Sequence, residues 1–258
     1  MIKNLLEIWK RRELLYNLVI KDLKIKYKGS ILGFAWSVFT PVITMLVMVV
    51  IFSKFMRFEY PNYPVFVLSG IIVWNLLSAS LSGSAVVLSG NANLITKIYF
   101  PREIFPLSVV FSKVVDFFIA LVILFIFIIF YKIQISIFIL LLPVIFIVHL
   151  LFIIGISMLI SCLNLFYRDV KHMLDFILFV WFYATPVFYP ISLIPEKYLK
   201  FYLLNPMVSI LAVYRDILID GKMPDIRFLV ISFILSMAVF WISYVIFKHY
   251  ENRFAEEV

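Results

Sequence analysis

With 258 residues, 64% of them hydrophobic and only 15% charged, and a mean hydropathy of +1.08, this chain is excluded from the ordinary soluble domains. Its 23 Lys+Arg exceed 15 Asp+Glu for a net charge of +8, which in a soluble protein would suggest nucleic acid. In a membrane protein, orientation and anionic lipid explain such an excess, so no nucleic-acid partner is inferred.

Backbone groups in lipid must bond within their own segment, so only helices or closed barrels cross a bilayer. A barrel needs strands that alternate apolar with polar, whereas runs such as 121–129 and 137–142 are apolar on every side. The fold class is therefore all-α, a polytopic membrane protein of a single domain over 1–258.

The N-terminal segment, 1–28, places Leu5, Ile8, Trp9, Leu15, Val19 and Leu23 at helical spacing, with Lys10, Arg11, Glu13, Asn17 and Lys21 off that stripe. This predicts an amphipathic helix lying in the interface, either a topology anchor or a collar around a substrate entrance. Lys3, Lys10, Arg11 and Arg12 are not followed by a short apolar region and a small-residue cleavage site, so no removable signal peptide is expected.

Six transmembrane helices follow, at about 30–53, 64–89, 104–131, 137–163, 173–189 and 228–248. The first lies in an uncharged run from Gly29 to Ser53, and about 20 apolar residues suffice to cross. The second should stop where Gly90-Asn91-Ala92-Asn93 interrupts it. The third carries Lys113 and Asp116, three residues apart, for which a local ion pair is the simplest account. The fourth contains Pro143 and Gly155. Loop charges set the direction: 15 Lys+Arg fall on the side of the termini against 8 on the other, which places both termini in the cytoplasm.

Residues 190–225 are too long for a simple loop and too interrupted for two spans. Pro190, Pro195 and Pro206 divide them into short helical pieces at 198–204 and 208–218. Two half-helices dipping into the outer membrane face fit this pattern. They read as a pathway exit or, more plainly, as a surface hairpin.

Little here suggests catalysis. No GxxxxGK[ST] loop occurs; Gly221-Lys222 lacks the upstream glycine, and Leu81-Ser82-Gly83-Ser84-Ala85 reads as close helix packing. His149, His172 and His249 lie in different segments without metal-ligand spacing, Asp175 is the only other carboxylate placed for a proton relay, and Cys162 reads as a small packing residue. Trp181, Tyr183, Phe188 and Tyr189 cluster at the outer end of span five. An interfacial aromatic belt explains each of them, and a sliding surface for a glycan could use some of them.

Three motifs in order then identify a family. Lys26-Tyr27-Lys28-Gly29-Ser30-Ile31-Leu32-Gly33-Phe34-Ala35-Trp36 with Pro41 comes first, and Leu94-Ile95-Thr96-Lys97-Ile98-Tyr99-Phe100-Pro101-Arg102-Glu103-Ile104 with Pro106 lies between spans two and three. Thr185-Pro186-Val187-Phe188-Tyr189-Pro190, then Ile194-Pro195, Asn205-Pro206-Met207 and Tyr214-Arg215, complete the set. Over essentially the whole chain the sequence resembles the polysaccharide and polyol-phosphate ABC export permeases.

The resemblance implies the type-2 ABC exporter fold and the membrane subunit of an exporter of lipid-linked polysaccharide, O-antigen first, with capsule or teichoic-acid polymer, small molecules or lipids as alternatives. A multispan membrane transferase is a more distant one. It implies a homodimer with two copies of a separate ATPase that binds the ATP and Mg, this chain holding no cofactor and doing no catalysis of its own. Residues 94–103 become a coupling helix, with Leu94, Lys97, Phe100, Pro101, Arg102 and Glu103 as a charged surface around an aromatic anchor. Arg12, Lys24, Lys26 and Lys28 become the entrance for the phosphate of an undecaprenyl-diphosphate-linked substrate, with membrane anchoring as the competing explanation. Trp181, Tyr183, Phe188, Tyr189, Tyr198, Phe201 and Met207 become the polysaccharide path and outer gate. The expected location is the bacterial inner membrane.

Overall fold

Amides that cannot reach water bond to carbonyls of their own turn, and the chain is built accordingly. In the computed structural model, which describes residues 7–28, 33–97 and 100–257 (Phe34 by its backbone alone), no strand occurs among the described residues. The helices are α1 (Arg12–Tyr27), α2 (Trp36–Val49, continued by a π turn, Val50–Phe55), α3 (Tyr63–Ala85), α4 (Ala92–Lys97), α5 (Ile104–Phe130) and α6 (Leu142–Phe166, led in by a 3-10 turn, Ile137–Leu141). Then come α7 (Val170–Tyr183), α8 (Glu196–Tyr202), α9 (Pro206–Leu218), α10 (Ile226–Tyr250) and α11 (Phe254–Glu257). Gly29, Ser30, Ile31 and Leu32 of the first motif, Ile98 and Tyr99 of the second, Leu5 of the N-terminal stripe and the basic Lys3 lie outside the described residues.

Five helices among the described residues are long and apolar enough to cross a membrane, or six if α8 and α9, bent at 105° to each other, count as one broken span. The expected spans at 104–131, 137–163 and 228–248 agree with α5, α6 and α10 within a few residues. The fifth does not. α7 has 14 residues and ends at Tyr183, six short of the expected 189. Thr185 and Tyr189 each precede a proline, which disfavours the helical region for them, and about 21 Å of helix falls short of the roughly 30 Å hydrocarbon core.

α3 carries no charge and sits at the centre, with α2, α5, α6, α7 and α9 around it. The two half-helices expected at 198–204 and 208–218 are present as α8 and α9, but they are not alike. No residue of α8 is buried, whereas nearly all of α9 is, against α10, α3 and α6. α9 is thus part of the core rather than half of a surface hairpin.

The expected interface helix is present as α1, but it leans on α5 along its length. Leu18 is its buried residue, flanked by Leu14 and Leu15, while Trp9 of the expected apolar stripe is 67% exposed. Cys162 is buried in the same cluster, with Ile95, Phe105 and Phe254. α2 keeps one flank bare, with Trp36, Phe39, Ile43, Leu46, Val47 and Val50 all exposed.

α6 and α10 form the most extensive helix pair, and Gly155 lets them meet: a Cβ placed there would stand 2.7 Å from the Phe240 Cα. Gly155→Val should therefore force the two helices apart, at a cost of about 1–3 kcal/mol. The thermal midpoint of the detergent-solubilised protein, followed by size-exclusion chromatography, should fall measurably, while a substitution to Ala at exposed Gly90, where no atom lies within 4 Å, should leave it unchanged.

Candidate functional site

The uncharged second span hides a polar stripe. Asn75, Ser78 and Ser82 recur at helical spacing on α3, and Ser37 and Thr40 do so on α2. The two stripes line one cavity of about 370 Å³ between α1, α2, α3 and α5, together with Lys26, Lys113 and Asp116. A second groove of about 350 Å³ shares Thr40, Asn75 and Ser82 and continues along α7 past Asp175 and Phe179. The 75/78/82 spacing is the sequence signal of this polar helix face.

The acid in the first cavity is held by a knot of donors. Lys26 Nζ stands 2.7 Å from Asp116 Oδ2, Ser37 Oγ donates to Asp116 Oδ1 at 3.0 Å, and the Tyr27 hydroxyl also bonds Asp116 Oδ1. The Tyr27 and Ser37 hydroxyl oxygens also lie 2.6 Å apart. Asp116 therefore fastens the end of α1 and the start of α2 to α5. The expected Lys113–Asp116 ion pair is not formed: among the described residues Lys113 makes no ion pair. A cation three residues before an acid is the weaker order on a helix, and three outside donors outcompete it. Burial disfavours the Lys26 charge, but hydrogen bonding to Asp116 and Tyr27 more than offsets it and raises that ammonium's pKa above its ordinary value.

Of the four basic residues expected at an entrance, only Lys26 lines this cavity. Arg12, Lys24 and Lys28 are exposed; Lys24 and Lys28 flank a shallow apolar groove with Ile20, Leu23 and Tyr27, while Arg12 lies over the Trp9 ring.

The 94–103 segment is built differently from the expected charged surface. Lys97 is exposed, and Leu94 and Pro101 are half-buried, but Phe100, Arg102 and Glu103 are buried. Phe100 packs on Phe105 and under the Arg102 guanidinium, whose Nη2 donates to the Ile95 carbonyl at 2.7 Å. Glu103 pairs with Lys248 at 2.6 Å, Lys248 with Glu251 at 2.6 Å, and Glu251 accepts the Arg102 backbone N–H at 3.0 Å. Burial raises the Glu103 pKa against the pull of Lys248. These three side chains clasp the segment to the end of α10, and its outward face is left to Asn93, Thr96 and Lys97.

At the opposite end two polar hubs hold the proline-broken chain. Asn205 caps α9 by accepting the Met207 N–H at 3.1 Å, accepts the Trp181 indole N–H at 2.9 Å, and donates to Thr185 Oγ1 at 3.0 Å. Arg215, 7% exposed, donates to the carbonyls of Pro186 at 2.6 Å and Val187 at 2.7 Å, with its Cζ 3.6 Å from the Phe66 ring centroid. Gly70 leaves room for that fork, since a Cβ there would come within 2.8 Å of Arg215 Nη2.

The expected gate aromatics divide around these hubs. Tyr183, Tyr198 and Phe201 are exposed, and Tyr189, half-buried, bonds the Tyr202 hydroxyl. Phe188 and Met207 are buried in the core. Trp181, expected as a sliding surface, is a fold contact: besides Asn205, its ring meets Trp74 and Phe152 edge-on. His149 is buried with its ring 6.0 Å from that of Tyr214, and His249 lies edge-on to Tyr250.

Comparison with known proteins places this architecture. Residues 13–219 match the family described as ABC-2 type transporter. The chain is 33% identical over 260 residues to the O-antigen export system permease protein RfbA of Myxococcus xanthus, covering 100% of both chains. It is 32% identical over 245 residues to the protein of the same name from Klebsiella pneumoniae, covering 95% of this chain and 94% of that one. A more distant similarity, 21% over 218 residues, links it to the polysialic acid transport protein KpsM of Escherichia coli, covering 81% of this chain and 82% of that one.

Removing Arg215 would strand two buried carbonyls, each worth about 1–3 kcal/mol when left unpaired. Arg215→Gln should therefore lower the thermal midpoint of the solubilised protein clearly, and Arg215→Lys should not restore it, because an ammonium lacks the planar fork that spans both oxygens. A cysteine introduced at Tyr189 should also react faster with a soluble maleimide in the Arg215→Gln background, as the 185–190 turn loosens.

Proposed function

The chain belongs to the ABC-2 type transporter family, and from that premise we propose that it exports a lipid-linked polysaccharide, O-antigen, across the bacterial inner membrane. Family membership makes it a multi-pass membrane subunit that works with a separate ATPase. That ATPase supplies ATP and Mg chemistry, two copies serving two copies of this chain. The full-length similarity to O-antigen export permeases supports the cargo, and the distant similarity to a polysialic acid transport protein keeps the wider class polysaccharide.

The observation that carries the reading is the polar cavity between otherwise apolar helices, lined by Lys26, Lys113, Asp116, Asn75, Ser78 and Ser82 and bordered by exposed Trp36 of α2. An intramembrane surface of this kind is costly unless something polar uses it. The bare α2 flank also supports the homodimer, since a second copy would close the grooves along α2 and α7 into a passage. The basic end, with Arg12, Lys24 and Lys28, faces the cytoplasm in this reading and gathers the lipid phosphate. The α8–α9 end faces outward, with Tyr183, Tyr198 and Phe201 offering apolar ring faces to leaving sugars.

Deleting the gene should strand polyprenyl-linked glycan in the inner leaflet and remove the polymer from the cell surface. Normal surface polysaccharide with altered drug resistance instead would assign the family's transport activity to another cargo. Docking gives a separate test, because within residues 94–103 Lys97 on α4 is exposed whereas Phe100, Arg102 and Glu103 are buried. Lys97→Glu should lower recovery of the ATPase with the affinity-purified permease by about tenfold, near 1.4 kcal/mol, with the permease's own thermal midpoint unchanged. Phe100→Ala should lower that midpoint as well, because Phe100 is an internal contact.

A further inference from the structure

A separate cavity of about 410 Å³ shares no lining residue with the polar cavities along α2 and α3. It lies between Phe66 on α3, the 186–192 turn, α9, the 220–225 turn and Phe228 on α10. Its charged lining is mixed, with Asp216, Asp220 and Asp225 against Arg215 and Lys222. Two of these groups are committed to the fold. Arg215 holds the Pro186 and Val187 carbonyls, and Asp225 caps α10 by accepting the Arg227 N–H at 2.9 Å. Lys222 has more freedom. Its backbone is fixed, donating its N–H to the Asp216 carbonyl at 3.0 Å beside Gly221 at φ +59°. Its side chain is 59% exposed, and Nζ bridges Asp220 Oδ2 at 2.7 Å and Asp216 Oδ1 at 3.1 Å. A cation this exposed holds its partners weakly and can exchange them.

The pairing selects the ligand. A simple cation between Asp216 and Asp220 would merely replace Lys222 and gain nothing from it, and a simple anion on Lys222 would face three carboxylates. A zwitterion uses both sides, and we propose that this cavity binds the headgroup of a phosphoethanolamine lipid. Its ammonium takes the place of Lys222 Nζ between Asp216 and Asp220, while its phosphate accepts charge-assisted hydrogen bonds from Lys222. Arg215 lines the same cavity with a buried Nε that has no partner among the described residues. Every charge thus keeps a partner through the exchange. A sugar fits less well, because the ring faces it would stack on are taken. Arg215 Cζ lies 3.6 Å from the Phe66 centroid, and Tyr60 has the Phe58 and Phe66 rings 6.2 Å and 4.6 Å away. The lipid chains have their own surface. Met223 is exposed at the cavity, and Ile226, Val230, Phe233 and Ile234 continue from there as an exposed stripe along α10. The site goes beyond the transport reading, since neither cargo nor ATPase takes part in it.

The test titrates the delipidated full-length chain in detergent with three lipids fluorescently labelled on the acyl chain. Phosphatidylethanolamine carries the ammonium, phosphatidylcholine a trimethylated cation without N–H donors, and phosphatidylglycerol no cation. The wild type should bind the first about tenfold more tightly than either of the others, as hydrogen bonds between charged groups imply. Asp216→Asn combined with Asp220→Asn should erase the preference over phosphatidylcholine while leaving phosphatidylcholine binding itself unchanged. Equal binding of the three lipids by the wild type, or an undiminished preference in the double variant, would overturn the proposal. Soluble glycerophosphoethanolamine and glucose serve as competitors. Neither should displace the labelled lipid at concentrations where unlabelled phosphatidylethanolamine does; displacement by the first would overturn the lipid assignment, and by the second the headgroup assignment.

Should the double variant fail to assemble, the wild type answers alone. Phosphatidylethanolamine with a photoreactive group in its acyl chain should label residues 226–234 of α10 several-fold more than phosphatidylcholine bearing the same group, read by mass spectrometry. Equal labelling by the two lipids would leave α10 with ordinary lipid contact and overturn the site.

Discussion

A chain that breaks its helical ladder inside a protein bundle must find other partners for the carbonyls it frees, and here the Arg215 guanidinium supplies them. Burying a cation would cost several kcal/mol alone. Two strong hydrogen bonds and an aromatic face at 3.6 Å compensate it, and the charge becomes a structural bolt between α9, the 185–190 turn and α3. Asn205 makes the same kind of bargain with neutral groups, tying α7, α9 and the turn with one amide. With these two side chains in place α7 can be short, α9 can enter the core, and α8 can lie bare at the surface.

The other end is organised by carboxylates. Asp116 draws the end of α1 and the start of α2 onto α5, and Glu103 with Glu251 brackets Lys248 to hold the 100–103 turn against α10. Both devices join segments far apart in sequence. In the first the Lys26 side chain is partly exposed; in the second the Glu103 carboxylate is wholly sealed. The first therefore keeps contact with its surroundings, whereas the second is a closed internal clasp.

Much of this was legible in the sequence because lipid imposes a coarse rule: long uncharged runs become spans, and prolines cut them. That rule located α5, α6 and α10, and even the two short pieces at 198–204 and 208–218. It could not tell that one piece would be buried and the other exposed, since burial of α9 depends on Arg215 reaching carbonyls about thirty residues away. Local logic also failed at Asp116, where the nearest cation in sequence lost to one ninety residues distant. Over residues 94–103 charge and ring are legible as residue types, but the direction in which they point is not. Phe100, Arg102 and Glu103 turn inward because α10 and the tail offer them Lys248, Glu251 and Phe254. The three motifs that carry the family resemblance largely coincide with these knots, which is why they were recognisable before their contacts were known.

The Glu103–Lys248–Glu251 bracket also fixes an order of manufacture. Residues 100–103 leave the ribosome long before residue 248 exists, so for most of synthesis Glu103 lacks its cation. The turn can take its final shape only after α10 has been inserted and the tail has folded back over it. A chain arrested before that point leaves the Glu103 carboxylate without its ammonium and the turn unclasped. The shape of a turn near residue 100 thus waits on one lysine far along the chain.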